Sequence, residues 1–539
     1  MSHYQHKLSF REKAGYSLGD GAANLVFQVL MAYQFMFFTK ILGLSSTAAG
    51  LLFLIGRFFD AFTDPAMGFV ADRTKTKWGR FRPWLIWSAL PFAGIFWLTF
   101  TSPGWSPTGQ MVYAYVMYFL LMAVYTVNNV PYCALNGVMT GDVDERTSLS
   151  TYRFVCVMII QFIVQGLTLP LVAKFGQGDD AKGWSITMGI FAIATIFFFV
   201  ICFFSVKERV TPDPKQKSSA RQDMLDTFRN RPWVILFSAT LMIFIMLVVR
   251  GGSLPLFVEH FADREALGEF VDSIGLRMDV NDVADANEIV NISELTDANG
   301  LADVNGLADV NGVADANGVE DGIKLKGYRK VLNAFGLLVK PDNSNVHGVA
   351  YGLFGMLGTF ATFLGVLCSK PLSKLFGKRM VFVVSLIVTT LVTLWLYFIP
   401  AKNIRAMLWQ SALWGLAYGP TVPLLWSMIA DTADYSEWKT GRRATGFTFA
   451  GVVFALKFGL GVGGYVQGLI LGMYDYDGTE GATLTERAID GIRVTSSIAP
   501  AAFIMAAVAI LIFYPISKKL NYQIGDELAQ RRKERQKAT

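Results

Sequence analysis

Three ionisable residues, Arg57, Asp60 and Asp64, lie inside an apolar stretch that begins near Thr47. Residues three or four apart share one face of an α-helix, so the two carboxylates point the same way with the guanidinium beside them. An ionisable side chain at the centre of a membrane-spanning helix costs about 2.5–3.5 kcal/mol on insertion scales. Because such side chains usually face a cavity, this pattern predicts an ion or solute path. The alternative is a buried Arg57–Asp60 pair that only holds two helices together, which leaves Asp64 without an assigned partner.

Further ionisable residues interrupt apolar segments elsewhere in the chain, namely Asp20, Arg153 and Lys457. With the first three they make three carboxylates and three cations. A buried, unpaired charge costs several kcal/mol, so pairing within one cavity is the arrangement of lowest cost. Lys457 could instead extend its ammonium to a membrane interface, but it lies near the middle of its apolar run.

Neutral polar side chains accompany these charges. The Thr126 hydroxyl, together with Asp60 and Asp64, offers hard oxygen ligands of the type that sodium or a proton would use. A second set offers donors and acceptors for sugar hydroxyls: Asp20, Tyr125, Asn129 and Arg153. Trp426 could stack on a sugar ring, although packing in the core or against lipid is the simpler interpretation.

The composition is typical of a membrane protein. Of the 539 residues, 53% are apolar and only 17% are charged, whereas soluble domains carry about 25% charged residues. The four cysteines lack a CxxC spacing, which argues against a disulfide framework or a zinc site. The net charge of +6 conceals an acidic stretch, 263–322, with 15 acidic residues against two basic ones. We interpret this asymmetry as a topology signal and not as nucleic-acid binding.

Counting about 20 apolar residues per crossing, we predict an all-α membrane protein of twelve transmembrane helices. The spans are 15–40, 46–71, 83–102, 110–139, 152–174, 185–206, 233–258, 347–371, 379–400, 404–430, 445–473 and 497–517. Lys and Arg concentrate after spans two, six, eight and ten and in the tail, so these loops and both termini are predicted to be cytoplasmic. The linker 207–232 then divides two six-helix halves, 1–206 and 233–517, and a basic tail follows at 518–539.

An acidic insertion, 262–345, separates spans seven and eight on the extracytoplasmic side. Its hexad repeats start at Leu295, Leu301, Leu307 and Val313. The Asp-x-Asn-Gly pattern could form a stacked, calcium-binding ladder. A low-complexity loop is the simpler interpretation, because each hexad has one small apolar side chain to bury. The chain completes twelve spans without this segment, so we do not expect the transport site to lie in it.

Several motifs resemble a known family. Gly68-x3-Asp72-Arg73 with Gly79-Arg80 is similar to the signature loop of the major facilitator superfamily. A larger set resembles the glycoside–pentoside–hexuronide:cation symporter family: Gly19-Asp20, Arg57-x2-Asp60-x3-Asp64-Pro, Trp78-Gly-Arg80-Phe-Arg-Pro, Pro131-Tyr132, Asp144-Glu-Arg146-x6-Arg153-Phe, Ala430-Asp-x2-Asp434-Tyr, and Lys457 with Gly459. The resemblance implies the major facilitator fold and sodium- or proton-coupled sugar uptake by alternating access in a bacterial inner membrane.

The resemblance also implies residue roles. It assigns Asp60, Asp64 and Thr126 to the coupling ion, and the sugar to a second set: Asp20, Tyr125, Asn129, Arg153 and Lys457. Asn129 and Cys133 stand where melibiose-transporting members have an aspartate and a tryptophan, so the resemblance does not extend to galactoside specificity. Arg153 and Lys457 would suit an anionic uronide, but they could equally neutralise the three aspartates.

A cytoplasmic gate is the second expected feature. The spacing from Asp142 to Arg153 equals that from Asp431 to Arg442, which indicates a weak similarity between the two six-helix halves. We predict that the gate forms between two sets of charged residues: Asp72, Arg73, Arg80 and Arg82 on one side, and Asp142, Asp144, Asp431 and Asp434 on the other.

Other classes of function fit less well. An enzyme needs a nucleophile–base or metal constellation, which the sequence does not offer; Gly459-x-Gly461-x-Gly463-Gly464 lies in an apolar span and indicates helix packing, not a nucleotide loop. A sensor would need an output segment. An efflux or lipid carrier should have a more apolar cavity. We therefore expect a monomeric symporter whose partners are a sugar and the lipid bilayer, without nucleic acid, and with no cofactor beyond the coupling ion.

Overall fold

The computed structural model describes residues 8–140, 143–209, 227–278, 328–441, 445–478 and 484–538, except for a few side chains within them. These residues form seventeen α-helices and a π-helical turn, Phe37–Ile41, that continues α1. In chain order the helices are α1 Phe10–Met36, α2 Ser46–Arg73, α3 Arg82–Thr99, α4 Pro107–Met139, α5 Val143–Gly176, α6 Asp180–Ser205, α7 Arg231–His260, α8 Arg264–Ser273, α9 Tyr328–Ala334, α10 Val346–Phe376, α11 Lys378–Phe398, α12 Ile404–Tyr418, α13 Thr421–Thr440, α14 Thr445–Met473, α15 Glu486–Ser496, α16 Ile498–Ile512 and α17 Lys518–Ala538.

Nine stretches of the described helices are long and apolar enough to cross a membrane. They are Phe10–Ile41, Pro107–Asn136, Thr151–Gly176, Asp180–Ser205, Arg231–His260, Val346–Phe376, Lys378–Phe398, Thr448–Met473 and Glu486–Ile512. Each coincides with a predicted span. The other three predicted spans, 46–71, 83–102 and 404–430, coincide with helices that are more polar, shorter or interrupted. Of these, α2 carries two aspartates and an arginine in its apolar stretch, α3 has 18 residues, and the third is divided between α12 and α13.

The helices pack into two groups. In the first, α1 packs against α5 and α6, and α3 packs against α4 and α6. In the second, α7 packs against α14 and α16, and α10 packs against α12. The two groups meet along two main contacts, α2 with α14 and α5 with α10, with a smaller contact between α1 and α7. The face between the groups therefore runs along α1, α2 and α5 on one side and α7, α10 and α14 on the other.

Glycine permits the close approach at both main contacts. A Cβ atom at Gly468 of α14 would lie 2.2 Å from the main-chain oxygen of Ser46 in α2. A Cβ atom at Gly352 of α10 would lie 2.5 Å from the main-chain oxygen of Gly166 in α5. Side chains cannot approach backbone this closely, so both positions require glycine. Small residues at helix contacts are typical of membrane proteins, where van der Waals packing drives helix association.

The two ends of the bundle can be told apart by the chain. We call the end at which α1 begins the terminus end and the opposite one the insertion end, because α7 ends there and the insertion, 262–345, follows α7 in the chain. The two ends of this insertion meet: Met278 donates its N–H to the Val339 oxygen at 2.9 Å, and Val339 donates its N–H to the Leu276 oxygen at 2.8 Å. The hexad repeats, 295–318, lie outside the described residues, and so both the ladder and the loop interpretations concern residues that are not described.

Glu208 fixes the loop between α2 and α3 at the terminus end. Its carboxylate accepts hydrogen bonds from the backbone N–H groups of Arg80, Phe81 and Arg82 at 2.9, 2.8 and 2.8 Å. Gly79 has a φ of +115°, and a Cβ there would lie 2.4 Å from Glu208 Oε1. The glycine of the signature loop is therefore required both by its backbone conformation and by this carboxylate.

Replacing Glu208 by alanine is expected to destabilise the protein by about 2 kcal/mol, because three backbone donors lose a charged acceptor. Thermal unfolding in detergent should show a lower transition temperature for Glu208→Ala. Glu269→Ala is the matched control, since Glu269 is exposed in α8. Equal transition temperatures for the two variants would show that the carboxylate does not hold the loop.

Candidate functional site

A cavity of about 280 Å³ lies between the two groups of helices, walled by α1, α2, α4, α5, α7, α13 and α14. We call it the Asp20 cavity. Most of the residues singled out from the sequence for ion or sugar binding line it: Asp20, Arg57, Asp60, Tyr125, Asn129, Arg153, Trp426 and Lys457. Residues separated by more than 400 positions in the chain thus surround one internal space. The helix contacts between the groups create this space.

Asp20 on α1 pairs with Arg153 on α5. The guanidinium donates from Nε and one Nη to the two carboxylate oxygens at 3.0 and 3.1 Å, and Asp20 is only 7% exposed. The same guanidinium faces the rings of Tyr132 and Tyr16 at 5.5 and 5.8 Å, and these rings stack on each other at 4.7 Å. A bidentate pair of this kind fixes both side chains. Each carboxylate oxygen keeps a second lone pair that can accept a hydroxyl.

Asp60 pairs with Arg57, which lies one turn earlier on the same helix. Arg57 Nη1 donates to Asp60 Oδ2 at 2.9 Å, and Asp60 is 4% exposed. Because both residues belong to α2, the interpretation that this pair holds two helices together is wrong. Arg57 does contact the second group through packing, since a Cβ at Gly461 of α14 would lie 2.2 Å from Arg57 Cγ. That contact agrees with the helix-packing role predicted for the glycine run of α14.

Asp64 connects three helices. Thr126 of α4 donates its hydroxyl to Asp64 Oδ1 at 2.8 Å, and Lys457 of α14 donates from Nζ to Asp64 Oδ2. The lysine is the partner that the sequence alone did not assign. Its ammonium lies against the carboxylate where an external cation would bind, so the structure places a fixed positive charge at the predicted ion site. Each of the three aspartates now has one base as its partner.

The neutral residues of the cavity wall make weaker contacts. Tyr125 packs with Phe92 at a ring separation of 5.8 Å, and the Cys133 thiol lies 3.8 Å from Asn129 Oδ1. Trp426 lines the cavity while its ring lies parallel to Phe449 at 6.5 Å. Tyr125, Asn129 and Trp426 are therefore on the wall, with polar or aromatic groups that can contact a solute.

Sequence reasoning missed three amide side chains of the same cavity: Asn24, Gln34 and Gln467. Within the described part of the chain, both polar atoms of the Gln467 amide and Nε2 of Gln34 are buried without a hydrogen-bond partner. Buried amides without partners are rare and call for a ligand or water. Asn24 lies one helical turn after Asp20, so helical spacing could have identified it.

Two of the residues predicted to form the gate, Asp431 and Arg82, have other partners. Asp431 accepts hydrogen bonds from Lys378 at 2.7 and 2.8 Å and from Asn521 at 3.2 Å, all within the second group. Arg82 donates from Nε to the Phe203 oxygen at 2.7 Å within the first group. Arg82 and Asp431, one from each of the two sets predicted to pair, therefore bind partners within their own groups in this conformation. Arg73 and Asp434 lie at the terminus end of their helices, and the Arg80 backbone binds Glu208. Asp142 and the side chains of Asp72 and Asp144 lie outside the described residues.

At the insertion end, polar contacts join the two groups. Lys40, just after α1, donates to Glu259 of α7 at 2.7 Å and lies 3.0 Å from Asp180 of α6. The Ser46 hydroxyl lies 3.5 Å from the Tyr476 oxygen across the α2–α14 contact. These contacts close the bundle at this end.

An all-helical bundle with two groups of helices around a charged internal cavity is the architecture of a membrane transporter. A family model described as "MFS/sugar transport protein" matches residues 15–276 and 344–518. The chain therefore belongs to this family of sugar transporters in the major facilitator superfamily, and it is a multi-pass membrane protein and not an enzyme. Residues 277–343 lie outside the match, which corresponds to most of the insertion.

Individual relatives agree with the family. The chain is 29% identical over 526 residues to the inner membrane symporter YicJ of Escherichia coli (strain K12), with 97% of this chain and 95% of the relative covered. It is 27% identical over 520 residues to the isoprimeverose transporter of Lactiplantibacillus pentosus, with 96% and 90% covered. Symport of a sugar is thus the activity that the family and its members support.

The fold is also found among solved transporters. The crystal structure of a mutant of the nucleoside transporter NupG superposes with a TM-score of 0.54 and 12% identity, covering 93% of this chain and 99% of that one. At this identity the likeness concerns the fold alone.

Proposed function

We propose that the protein is a cation:sugar symporter that couples the entry of sodium or a proton to the uptake of a glycoside, pentoside or hexuronide. The observation that carries this proposal is a set of three carboxylates, each paired with one base, between the two groups of helices. Asp20 and Asp60 line the Asp20 cavity, and Asp64 pairs with Lys457, which lines the cavity as well. Buried ion pairs are strongly destabilised when one partner is removed. A bound cation and a bound sugar can therefore change which pairs are formed, and each change carries a large free energy.

In this proposal the coupling ion binds at Asp64, with Asp60 and the Thr126 hydroxyl beside it. The ion competes with the Lys457 ammonium for the Asp64 carboxylate. The released ammonium can then donate to a sugar that also contacts Asp20, Arg153, Tyr125 and Asn129 in the same cavity. Because coupling between two ligands is reciprocal, a bound sugar tightens the binding of the ion by the same factor.

Alternating access follows from the position of the cavity between the two groups. The contacts of Lys40 and of α5 with α10 support a conformation that is closed at the insertion end. Opening this end requires the two groups to rotate about the cavity, which is the motion of transporters built from two repeats. The predicted gate at the terminus end would form in the opposite conformation. A lipid carrier or efflux protein is the alternative, and the charged wall of the cavity argues against it.

We further assign twelve spans in the two halves 1–206 and 233–517, joined by the linker 207–232. The terminus end, with both termini and the tail 518–539, faces the cytoplasm of a bacterial inner membrane, since basic loops lie at that end. The acidic insertion, 262–345, faces the other side. The protein works as a monomer and needs no cofactor besides the coupling ion.

Uptake into membrane vesicles tests the proposal. Labelled neutral glycosides and uronides are supplied with an imposed sodium gradient or an imposed proton gradient. One gradient should drive accumulation of one sugar class, up to about tenfold for a tenfold gradient at one ion per sugar. No accumulation of any sugar under either gradient would contradict the proposed function.

A reversible disulfide provides the transport-inactive control. A Cβ at Gly348 of α10 would lie 3.2 Å from Leu169 Cβ of α5 at the insertion end. This is a few tenths of an ångström less than the separation of about 3.5–4.5 Å found in disulfides, so a small local shift admits the bond. Oxidation of Leu169→Cys/Gly348→Cys should stop uptake and reduction should restore it, while each single variant stays active in oxidant. Full uptake by the oxidised double variant would contradict alternation about this contact.

A further inference from the structure

A second cavity, of about 290 Å³, lies between α1, α5, α7, α10 and α12. We call it the Arg250 cavity. Phe27, Met31 and Leu460 line both cavities, so the two cavities adjoin each other at these apolar side chains. Among the described residues that line this cavity, Arg250 of α7 is the only one with a charged side chain. Its wall therefore carries one uncompensated positive charge.

Arg250 differs from Arg57, Arg153 and Lys457, each of which pairs with an aspartate. It is 7% exposed, its Nε has no hydrogen-bond partner, and no ion pair links it to a carboxylate in the described part of the chain. Its guanidinium lies 4.0 Å above the ring of Trp414, and the Trp414 indole donates to the Thr393 hydroxyl at 3.0 Å. The hydrogen bond fixes the Trp414 ring, and stacking on this ring fixes the plane of the Arg250 guanidinium.

This arrangement leaves a specific binding capacity. A buried cation without a counter-charge is destabilising, and stacking on one face of the guanidinium does not satisfy its N–H groups. The edge of the guanidinium remains available for two parallel hydrogen bonds to one oxyanion, the geometry that arginine provides for carboxylates. A single negative group would satisfy both the charge and the donors.

The cavity also suits the rest of a sugar. Gln28 and Gln161 add polar groups to a wall that is otherwise largely aromatic and aliphatic. Gln165 accepts a hydrogen bond from Thr359 at 2.8 Å, which orients its amide at the α5–α10 contact. A pocket of apolar and aromatic groups with a few polar ones and a single charge is typical of small-molecule sites.

The charged groups Asp20–Arg153 and Arg250 lie at different depths. A Cβ at Gly251 would lie 3.6 Å from the Met31 oxygen, so Arg250 is level with Met31 on α1. Met31 follows Asp20 by eleven residues, which corresponds to about 16 Å along a helix. Arg250 is therefore nearer the insertion end than the Asp20–Arg153 pair.

We infer that Arg250 binds the negatively charged group of an anionic glycoside, a hexuronide, and so selects the class of substrate that this transporter carries. This inference rests on the proposed function. The sequence left open whether Arg153 and Lys457 bind an anionic sugar or neutralise the aspartates. In the structure, Arg153 and Lys457 pair with Asp20 and Asp64, whereas Arg250 has no carboxylate partner among the described residues.

Binding to the purified, detergent-solubilised chain tests the inference independently of uptake. Two matched pairs of probes differ by a carboxylate in place of a hydroxymethyl group: the p-nitrophenyl glucuronide and glucoside, and the galacturonide and galactoside. The wild-type protein should bind at least one anionic probe more tightly than its neutral match. Arg250→Gln should weaken that binding by about 10- to 100-fold and change the neutral probe less than about threefold, and Arg250→Lys should recover part of the loss.

Arg493→Gln is the control variant. Arg493 also lies over aromatic rings, those of Tyr397 and Phe261, but outside both cavities. The Arg493→Gln variant should bind both probes of each pair with the affinity of the wild type. Equal losses for anionic and neutral probes in Arg250→Gln, or no preference for an anion in the wild type, would overturn the inference. The inference would also be overturned if inorganic sulfate displaced the bound glucuronide at a lower concentration than added glucuronide does. That result would indicate a site for a free anion.

Failure of the inference differs from failure of the proposed function. Gradient-driven uptake of neutral sugars alone, without anion preference in binding, would overturn the role of Arg250 and leave the symporter intact. Anion-selective binding without uptake under any gradient would contradict the symporter and leave Arg250 as an anion site.

Discussion

Asp64→Asn is expected to abolish uphill sugar accumulation, so that the inside-to-outside ratio under a cation gradient falls to about 1, the value without coupling. The substitution removes the charge that would bind the coupling ion. It also removes the acceptor of the Lys457 ammonium and leaves only a neutral group beside Thr126. Asp60→Asn should have the same effect, because it releases the buried Arg57 guanidinium beside the ion site.

Vesicle uptake under the effective gradient measures this effect, with the amount of folded protein determined in the same vesicles. Asp475→Asn provides the matched control, since Asp475 pairs with Arg487 at the insertion end where both side chains are 67% exposed. Exposed pairs contribute little, so this variant should accumulate sugar normally. Asp64→Glu, which keeps the charge, should retain part of the activity. Full accumulation by both Asp60→Asn and Asp64→Asn would refute the assigned ion site.

Arg153→Gln is expected to weaken sugar binding by about 30-fold or more, because truncating one partner of a buried, hydrogen-bonded ion pair costs about 2–5 kcal/mol. Asp20 would remain in the cavity at 7% exposure without its bidentate donor. The tyrosine pair that faces the guanidinium would also lose its cation. The measurement is equilibrium binding of the transported sugar, accompanied by thermal unfolding of the same preparation.

The double variant Asp20→Asn/Arg153→Gln separates structural support from sugar contact. If the pair only joins α1 to α5, removing both charges relieves the unpaired carboxylate, and binding should recover to within a few-fold of the wild type. If both side chains contact the sugar, as we propose, the unfolding temperature should recover while binding stays weak. Recovery of both quantities would remove Asp20 and Arg153 from the substrate site.

Much of the site was predictable because its signals are local. Asp60 and Asp64 stand out as charges in an apolar run, and their spacing places them on one face of a helix whatever the rest of the chain does. The same argument identified Asp20, Arg153 and Lys457. Arg250 carries the same signal, a lone charge in the span 233–258, and was missed because no motif accompanied it.

The helical spans were also predictable in position. Nine coincide with helices that have the composition of membrane crossings, because transfer to lipid depends on the residues of the segment itself. Of the other three segments, one is α2 with its two aspartates, one is α3 with 18 residues, and the third is divided between α12 and α13. In α2, the charges of the site therefore weaken the compositional signal for a membrane crossing.

The sequence by itself determined which segments are apolar helices and which side chains are too costly to bury without a role. The tertiary structure decided the partners: Lys457 for Asp64, Arg153 for Asp20, and Lys378 for Asp431. It also showed that, within the described part of the chain, Arg250 has no acid paired with it. Pairing depends on the relative rotation and depth of helices that are distant in the chain, and many glycine-mediated contacts set these together. No single segment contains information about all these contacts together. The charged residues could therefore be located from the sequence, but their partners could not be assigned.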